Sequence, residues 1–328
     1  MTLMSPTTTR AWHLWIVGVA AATAAACGVI LNDQPRTSGK SPAPLSELWV
    51  EPQNIASRNL LVGSGRPETA PSNDIEYKVL KFDPRGYSKG YDVEAPDGRK
   101  WDIKIGKESQ TEIVLSRILW AIGYYQPATY FMDGWQLKGN WNLEGQAARF
   151  RLQSDHEVEG DWNWEDNPFE SSRAFGGLIA INLLFNNWDL KNNNNRVYSL
   201  KGPDGTRIRR YVVQDLGASL GTFQIFPYAI GTRNEVADFE STSLVRNVHG
   251  SKVELTYRGR HQDVIKLMKV ADVIWACELL NELSDEQFDD AFKAAKYAEG
   301  VRTRYIKKIR AKIHEGLELR KFAAVLED

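Results

Sequence analysis

The sequence predicts an α+β protein of two lobes, a small β-rich lobe over 72–153 and a mostly helical lobe over 154–328. Two patterns carry this. Between Tyr77 and Gly106, short runs of alternating apolar and charged residues are separated by Gly and Asp-Gly turns, the period-two signature of strands. From about Gln262 to Leu326, apolar residues recur at three- and four-residue spacing instead. At 328 residues and 42% hydrophobic content the chain is long enough to bury a full core.

Ahead of both lobes, residues 1–10 are mostly polar with one cation, Arg10, and Ala11–Leu31 is apolar apart from His13, Thr23 and small residues. Residues 1–31 therefore read as a signal peptide or membrane anchor. Ala24-Ala25-Ala26-Cys27-Gly28 resembles a bacterial lipoprotein signal in which Cys27 carries the lipid, which predicts an extracytoplasmic, membrane-anchored protein. About 21 apolar residues also suffice to span a bilayer uncleaved, and Ala24-x-Ala26 permits ordinary cleavage. The Pro-, Ser-, Gly- and Asn-rich stretch 32–71 reads as a flexible tether.

The β-rich lobe opens with Tyr77–Phe82 and Tyr91–Val93, two strands joined by a turn containing Gly86 and Gly90. That turn describes either an ordinary hairpin or a loop whose N–H groups cover phosphates. Asp97-Gly98 is a two-residue hairpin signal, leading into a strand in which Ile103 and Ile105 share one face and Lys104 takes the other. A helix follows, with Ser109 as expected N-cap, Ile113, Leu115, Ile118, Leu119 and Ile122 at helical spacing, and Gly123 as stop. Glu112 in its first turn is the expected partner of Lys104, with Glu108 in reserve.

Gln146–Leu152 reads as a strand. Trp135, Trp141, Trp162 and Trp164 fall in one segment with Asp155, Glu157, Glu159, Asp161, Glu165 and Asp166; packing explains them better than a sugar or peptide site does. Phe175–Phe185 is apolar nearly all round and belongs in a core. Ser284-Asp285-Glu286-Gln287 is a cap-like helix start, and a last helix over about 302–317 sets Tyr305, Ile306, Ile309 and Ile313 against a charged face. Cys277, in the apolar run Val273–Leu280, reads as an inert core thiol. The five His residues show no metal-ligand spacing. A net charge of −1, without a basic stripe, excludes a nucleic-acid surface.

Chemistry concentrates in Asn187-Trp188-Asp189-Leu190-Lys191-Asn192-Asn193-Asn194 and in Val213-Gln214-Asp215-Leu216-Gly217. Phosphoryl transfer asks a protein mainly to position groups and neutralise charge. In that chemistry Asp189 would orient the attacking hydroxyl and Lys191 would meet the transferring phosphate as a point charge. Asn194 and Asp215 would give hard oxygen ligands to Mg2+. The order Lys104, Glu112, Asp189 to Asn194, Asp215-Leu216-Gly217 resembles the protein-kinase-like superfamily over roughly 75–320. The atypical bacterial HipA-type and CotH-type members are nearer than the eukaryotic ones, and Glu112–Gly123 looks like the helix of HipA-type proteins.

The resemblance implies a two-lobed protein-kinase-like fold with ATP between the lobes. It also implies Mg2+ at Asn194 and Asp215, phosphates on Lys104 and the Gly86–Gly90 turn, and a hydroxyl acceptor in an envelope protein or small molecule. Departures are Asn187-Trp188 where the family has His-Arg, no Ala-Pro-Glu after Asp-Leu-Gly, and a short gap from Lys104 to Glu112. A non-catalytic binding module of the cell envelope that keeps the cleft, and an AMP transferase, remain as alternative readings.

Overall fold

A computed structural model describes residues 43–84, 87–139, 146–153, 157–224, 230–265 and 268–324. In chain order these form β1 (Glu76–Asp83), β2 (Gly90–Glu94), β3 (Lys100–Ile105), α1 (Glu108–Ala121), β4 (Thr129–Met132), β5 (Gln136–Leu137), β6 (Ala148–Leu152), β7 (Glu157–Gly160) and α2 (Arg173–Leu184). Next come β8 (Asn195–Lys201), β9 (Arg207–Val213), β10 (Phe223–Gln224), β11 (Ile230–Gly231), α3 (Val236–Glu240), β12 (Val245–His249) and β13 (Lys252–Leu255). The chain ends with α4 (Gln262–Ile265), β14 (Met268–Lys269), α5 (Val270–Asn281), α6 (Asp285–Ala294), α7 (Glu299–Leu317) and α8 (Arg320–Ala324). The fold is α+β, as the sequence predicts.

The N-terminal strands make a six-stranded sheet in the order β4-β6-β3-β2-β1-β5, antiparallel except where β1 meets β5. Its apolar side chains close on themselves: Tyr77, Tyr91, Val93, Trp101, Ile103, Trp135 and Phe150 form one buried cluster, with Trp135 edge-on to Phe150. Strand alternation then sends the intervening residues of β2, β3 and β6 to the opposite face. At the β2–β3 turn, Gly98 has φ +84° and the Asp97 carboxylate accepts the Arg99 N–H.

The second core is helical and joins α1, α2, α5, α6 and α7. The Ser172 hydroxyl caps α2 by accepting from the Phe175 N–H, and Ser284 with Gln287 forms a complete capping box on α6. Trp162 and Trp164 are buried here, the Trp162 indole donating to the Val212 carbonyl, so neither offers a face to a sugar or peptide. Trp141 lies outside the described residues. Cys277 is buried, and desolvation pushes its thiol up to about 12.

Two expectations are corrected. Of the expected tether 32–71, residues 32–42 lie outside the described residues and 43–71 are not free: Leu48, Ile55 and Leu60 are buried in the helical core, and Trp49 packs edge-on against Trp275. The Gln287 amide donates to the carbonyls of Ile55 and Arg58, and the Arg117 guanidinium to that of Val62. Composition hid this because the few apolar residues of the stretch are spaced to reach one surface. Ser109 is not the N-cap of α1, which begins one residue earlier; its hydroxyl donates to the Lys104 carbonyl and ties helix to strand.

Residues 1–31 lie outside the described residues. Among the described ones, no helix is long and apolar enough to cross a membrane.

Candidate active site

Register assembles the upper wall of a cleft. Gly90 pairs with Lys104 and Lys104 with Arg149; Asp92 pairs with Asp102 and Asp102 with Arg151. These six residues form two rows on the face of the sheet turned away from its apolar core. Lys104 ends β3 just before the turn into α1, which brings the helix's first acidic residues back over it. Its Nζ lies 3.3 Å from Glu112 Oε2, 3.6 Å from Glu108 Oε2 and 2.8 Å from Asp215 Oδ1. Desolvation alone would depress the Lys104 ammonium; the three carboxylates outweigh it and hold the group above its usual value. For Asp215, desolvation works upward, and the charge and hydrogen bond of Lys104 bring the carboxyl down to about 2.

The lower wall is the β8–β9 hairpin. Asn195 pairs with Val213, and the Gln214 N–H donates to the Asn194 carbonyl at 2.9 Å, so Asn194 and Asp215 leave the hairpin's end side by side. The Asn194 side-chain nitrogen donates to the Asp189 carbonyl at 2.9 Å, leaving Oδ1 as the atom available to a cation. Both residues line a cavity of about 350 Å³, together with Gly90, Asp102, Lys104 and Arg151. A carboxylate and an amide oxygen are hard donors that suit Mg2+, which takes few protein ligands when phosphates supply the rest. Among the described residues no cluster of three or more His, Cys, Asp or Glu could hold a metal.

Asp189 follows the end of α2, where Asn186 takes φ +55° and donates its amide to the Gly221 carbonyl. The Asp189 carboxylate accepts from Lys191 Nζ at 2.5 Å and from Arg260 Nε at 3.2 Å. Its loop is braced by Trp188, whose N–H donates to the Ala218 carbonyl and whose indole donates to Thr232. Catalytic and metal candidates are thus linked through one amide, Asn194.

The structure brings Lys104, Glu112, Gly90, Asn194 and Asp215 together, and Asp189 with Lys191 adjoins them through Asn194. Gly86 lies outside the described residues. A Cβ at Gly90 would meet the Ile103 carbonyl at 3.5 Å, an ordinary contact, so packing does not require glycine there.

Asp102, Arg149 and Arg151 were not singled out from sequence. Arg149, 1% exposed, reaches Glu112 with Nε at 2.9 Å and also holds Asp102; Arg151 Nη2 lies 2.8 Å from the other Asp102 oxygen. Alternation in Ala148-Arg149-Phe150-Arg151-Leu152 was the available signal: with Phe150 inward, both arginines share the face of Lys104. Arg233 was also missed. It pairs with Glu108 and lies between the rings of Tyr87 and Trp188, so the segment after Asp-Leu-Gly is docked onto the start of α1.

No protein-family model and no curated protein matches the chain. Among solved structures it is similar to the crystal structure of the Helicobacter pylori proinflammatory kinase CtkA, at TM-score 0.46 and 8% identity, over 75% of this chain and 95% of that one. The likeness is too distant to carry any residue's role across.

Proposed function

We propose that the protein is an atypical Mg2+-dependent phosphotransferase that uses ATP and acts on a hydroxyl acceptor in an envelope protein or small molecule. The observation behind this reading is the Lys104 ammonium, which joins Glu112 of α1 to Asp215 of the lower wall, beside Asn194. An ion-pair network that served stability alone would have no need of two oxygen donors at the end of an adjoining hairpin.

In this reading Lys104 holds donor phosphates. Bound Mg2+, at Asn194 and Asp215, would neutralise the charge that develops on them. Asp189 accepts the acceptor's hydroxyl proton as that oxygen bonds to the γ-phosphorus and the bond to ADP breaks. Lys191 and Arg260, both paired with Asp189, stand where a transferring phosphoryl group needs positive charge.

Full-length protein given Mg2+, γ- or α-labelled ATP and an envelope extract tests the reading, with Asp215→Ala alongside. Label from the γ position that disappears in the variant is expected. Label from the α position would mean AMP transfer, and no label together with no Mg2+-dependent nucleotide binding would leave a binding module. Export and anchoring at Cys27 are proposed from residues 1–31 alone. Metabolic labelling with a fatty acid should mark the protein, and Cys27→Ser should abolish the mark.

A further inference from the structure

Lys312 of α7 is 0% exposed, yet no step of the proposed reaction uses it. Its Nζ donates to the Leu184 carbonyl at 3.0 Å and to Asn186 Oδ1 at 2.7 Å, and lies 4.3 Å from the centre of the Phe239 ring. Both oxygens are neutral, and burial pushes the ammonium well below the usual lysine value. Burying an ionisable group beside neutral partners costs free energy, whereas methionine would fill the same space without that cost. Stability alone therefore gives no reason for a lysine at this position.

What the amine holds is the start of the loop that carries Asp189. Asn186 stands between the end of α2 and Asn187-Trp188-Asp189, and its φ of +55° is a conformation that residues other than glycine adopt at a cost. Lys312 fixes its side-chain oxygen, which directs the amide nitrogen to the Gly221 carbonyl at 2.6 Å and to Thr242 Oγ1 at 3.0 Å. Gly221 lies in the segment that follows Asp215-Leu216-Gly217. The same segment contains a second left-handed residue, Leu220 at φ +55°, whose N–H donates to the Phe185 carbonyl and whose carbonyl accepts from the Tyr305 hydroxyl, again of α7. One helix thus clamps the loop of Asp189 and the segment after Asp215 at adjacent points.

We infer that Lys312 is a positioning residue: through Asn186 it sets where the loop carrying Asp189 stands relative to the segment that follows Asp215. Its loss should therefore slow the chemical step and leave nucleotide binding alone. The kinetic half of this rests on the proposed phosphotransferase function; the structural half rests on contacts alone.

Full-length Lys312→Met and Asn186→Gly, compared with the parent by steady-state kinetics and by amide hydrogen exchange read by mass spectrometry, test both halves. Methionine keeps the bulk of the stem and removes the amine; glycine suits φ +55° and removes the side chain through which Lys312 acts. In both variants kcat is expected to fall by about 10- to 100-fold, with KM for MgATP within about threefold of the parent's. Peptides covering 187–194 are expected to exchange at least about tenfold faster, while those from α5 keep the parent's rate. A kcat within about threefold of the parent's, unchanged exchange in the loop, or a uniform acceleration over loop and α5 alike overturns the inference. Should Lys312→Met not fold, Asn186→Gly decides by the same readings. A parent that transfers no phosphate overturns the phosphotransferase reading by itself, and the exchange pattern then decides whether Lys312 positions the loop.

Discussion

Three cations converge on the Glu112 carboxylate: Lys104 at 3.3 Å, Arg149 at 2.9 Å and Arg151 at 3.5 Å. Glu112 and Arg149 are each 1% exposed, so neither charge can regain water if its partner goes. Arg149→Met should therefore destabilise the fold by about 1.5–3 kcal/mol in chemical denaturation, because it removes the nearest of Glu112's three cations and leaves Asp102 half-paired. Asp189 is the opposite case, since it lies in a loop and meets only partly exposed Lys191 and Arg260. Asp189→Asn should lower kcat by about 10²- to 10⁴-fold, the usual contribution of a general base, while a thermal melt stays close to that of the parent protein. If the two variants exchanged these phenotypes, the division between structural and catalytic charge made here would be wrong. That Asp189, Lys191, Asn194 and Asp215 lie near one another was legible because one loop and one hairpin carry them. Arg149 and Arg151 were not, since their meaning depends on which strand lies beside β6.

At the scale of elements, the decisive one is the strap 43–71 behind α1. Burying Leu48, Ile55 and Leu60 contributes about 1.5–3 kcal/mol each, and their sum is comparable with the whole stability of an ordinary domain. A chain beginning at residue 75 should therefore fail to give a cooperative thermal unfolding transition by circular dichroism, and one beginning at residue 43 should give it. Gly123 makes the same point at one position. It takes φ +100°, and a Cβ there would lie 2.2 Å from the Val50 carbonyl, so Gly123 both ends the turn after α1 and admits the strap. The sequence marks Gly123 as a helix stop, but its second task appears only once the strap is in place. Helices α2, α6 and α7 were readable in advance because their apolar patterns, and the Ser284 cap of α6, are local. Residues 43–71 were not, because their apolar residues follow no helix or strand period.

For the molecule as a whole, the ion pair between Lys104 and Asp215 joins the sheet to the helical part and sets a pH range for their union. Asp215 titrates at about 2 when folded, below its ordinary value, so its contribution is complete above about pH 4 and fades as pH falls toward 2. Lys104 is shifted upward, so its contribution is complete below its ordinary value and is lost only in strong alkali. Intrinsic tryptophan fluorescence followed against pH should show the parent losing stability between pH 4 and 2. Asp215→Asn, which cannot titrate, should show a smaller loss over that interval.

By itself the sequence determined the α+β class, the chemical groups and their order, and the faces of individual strands and helices, because all of these depend on residues within a few positions of one another. Tertiary structure alone decided that residues 43–71 are part of the core and that Glu112 is shared among three cations. Each of these depends on contacts between residues far apart in the chain, and no local period records such contacts.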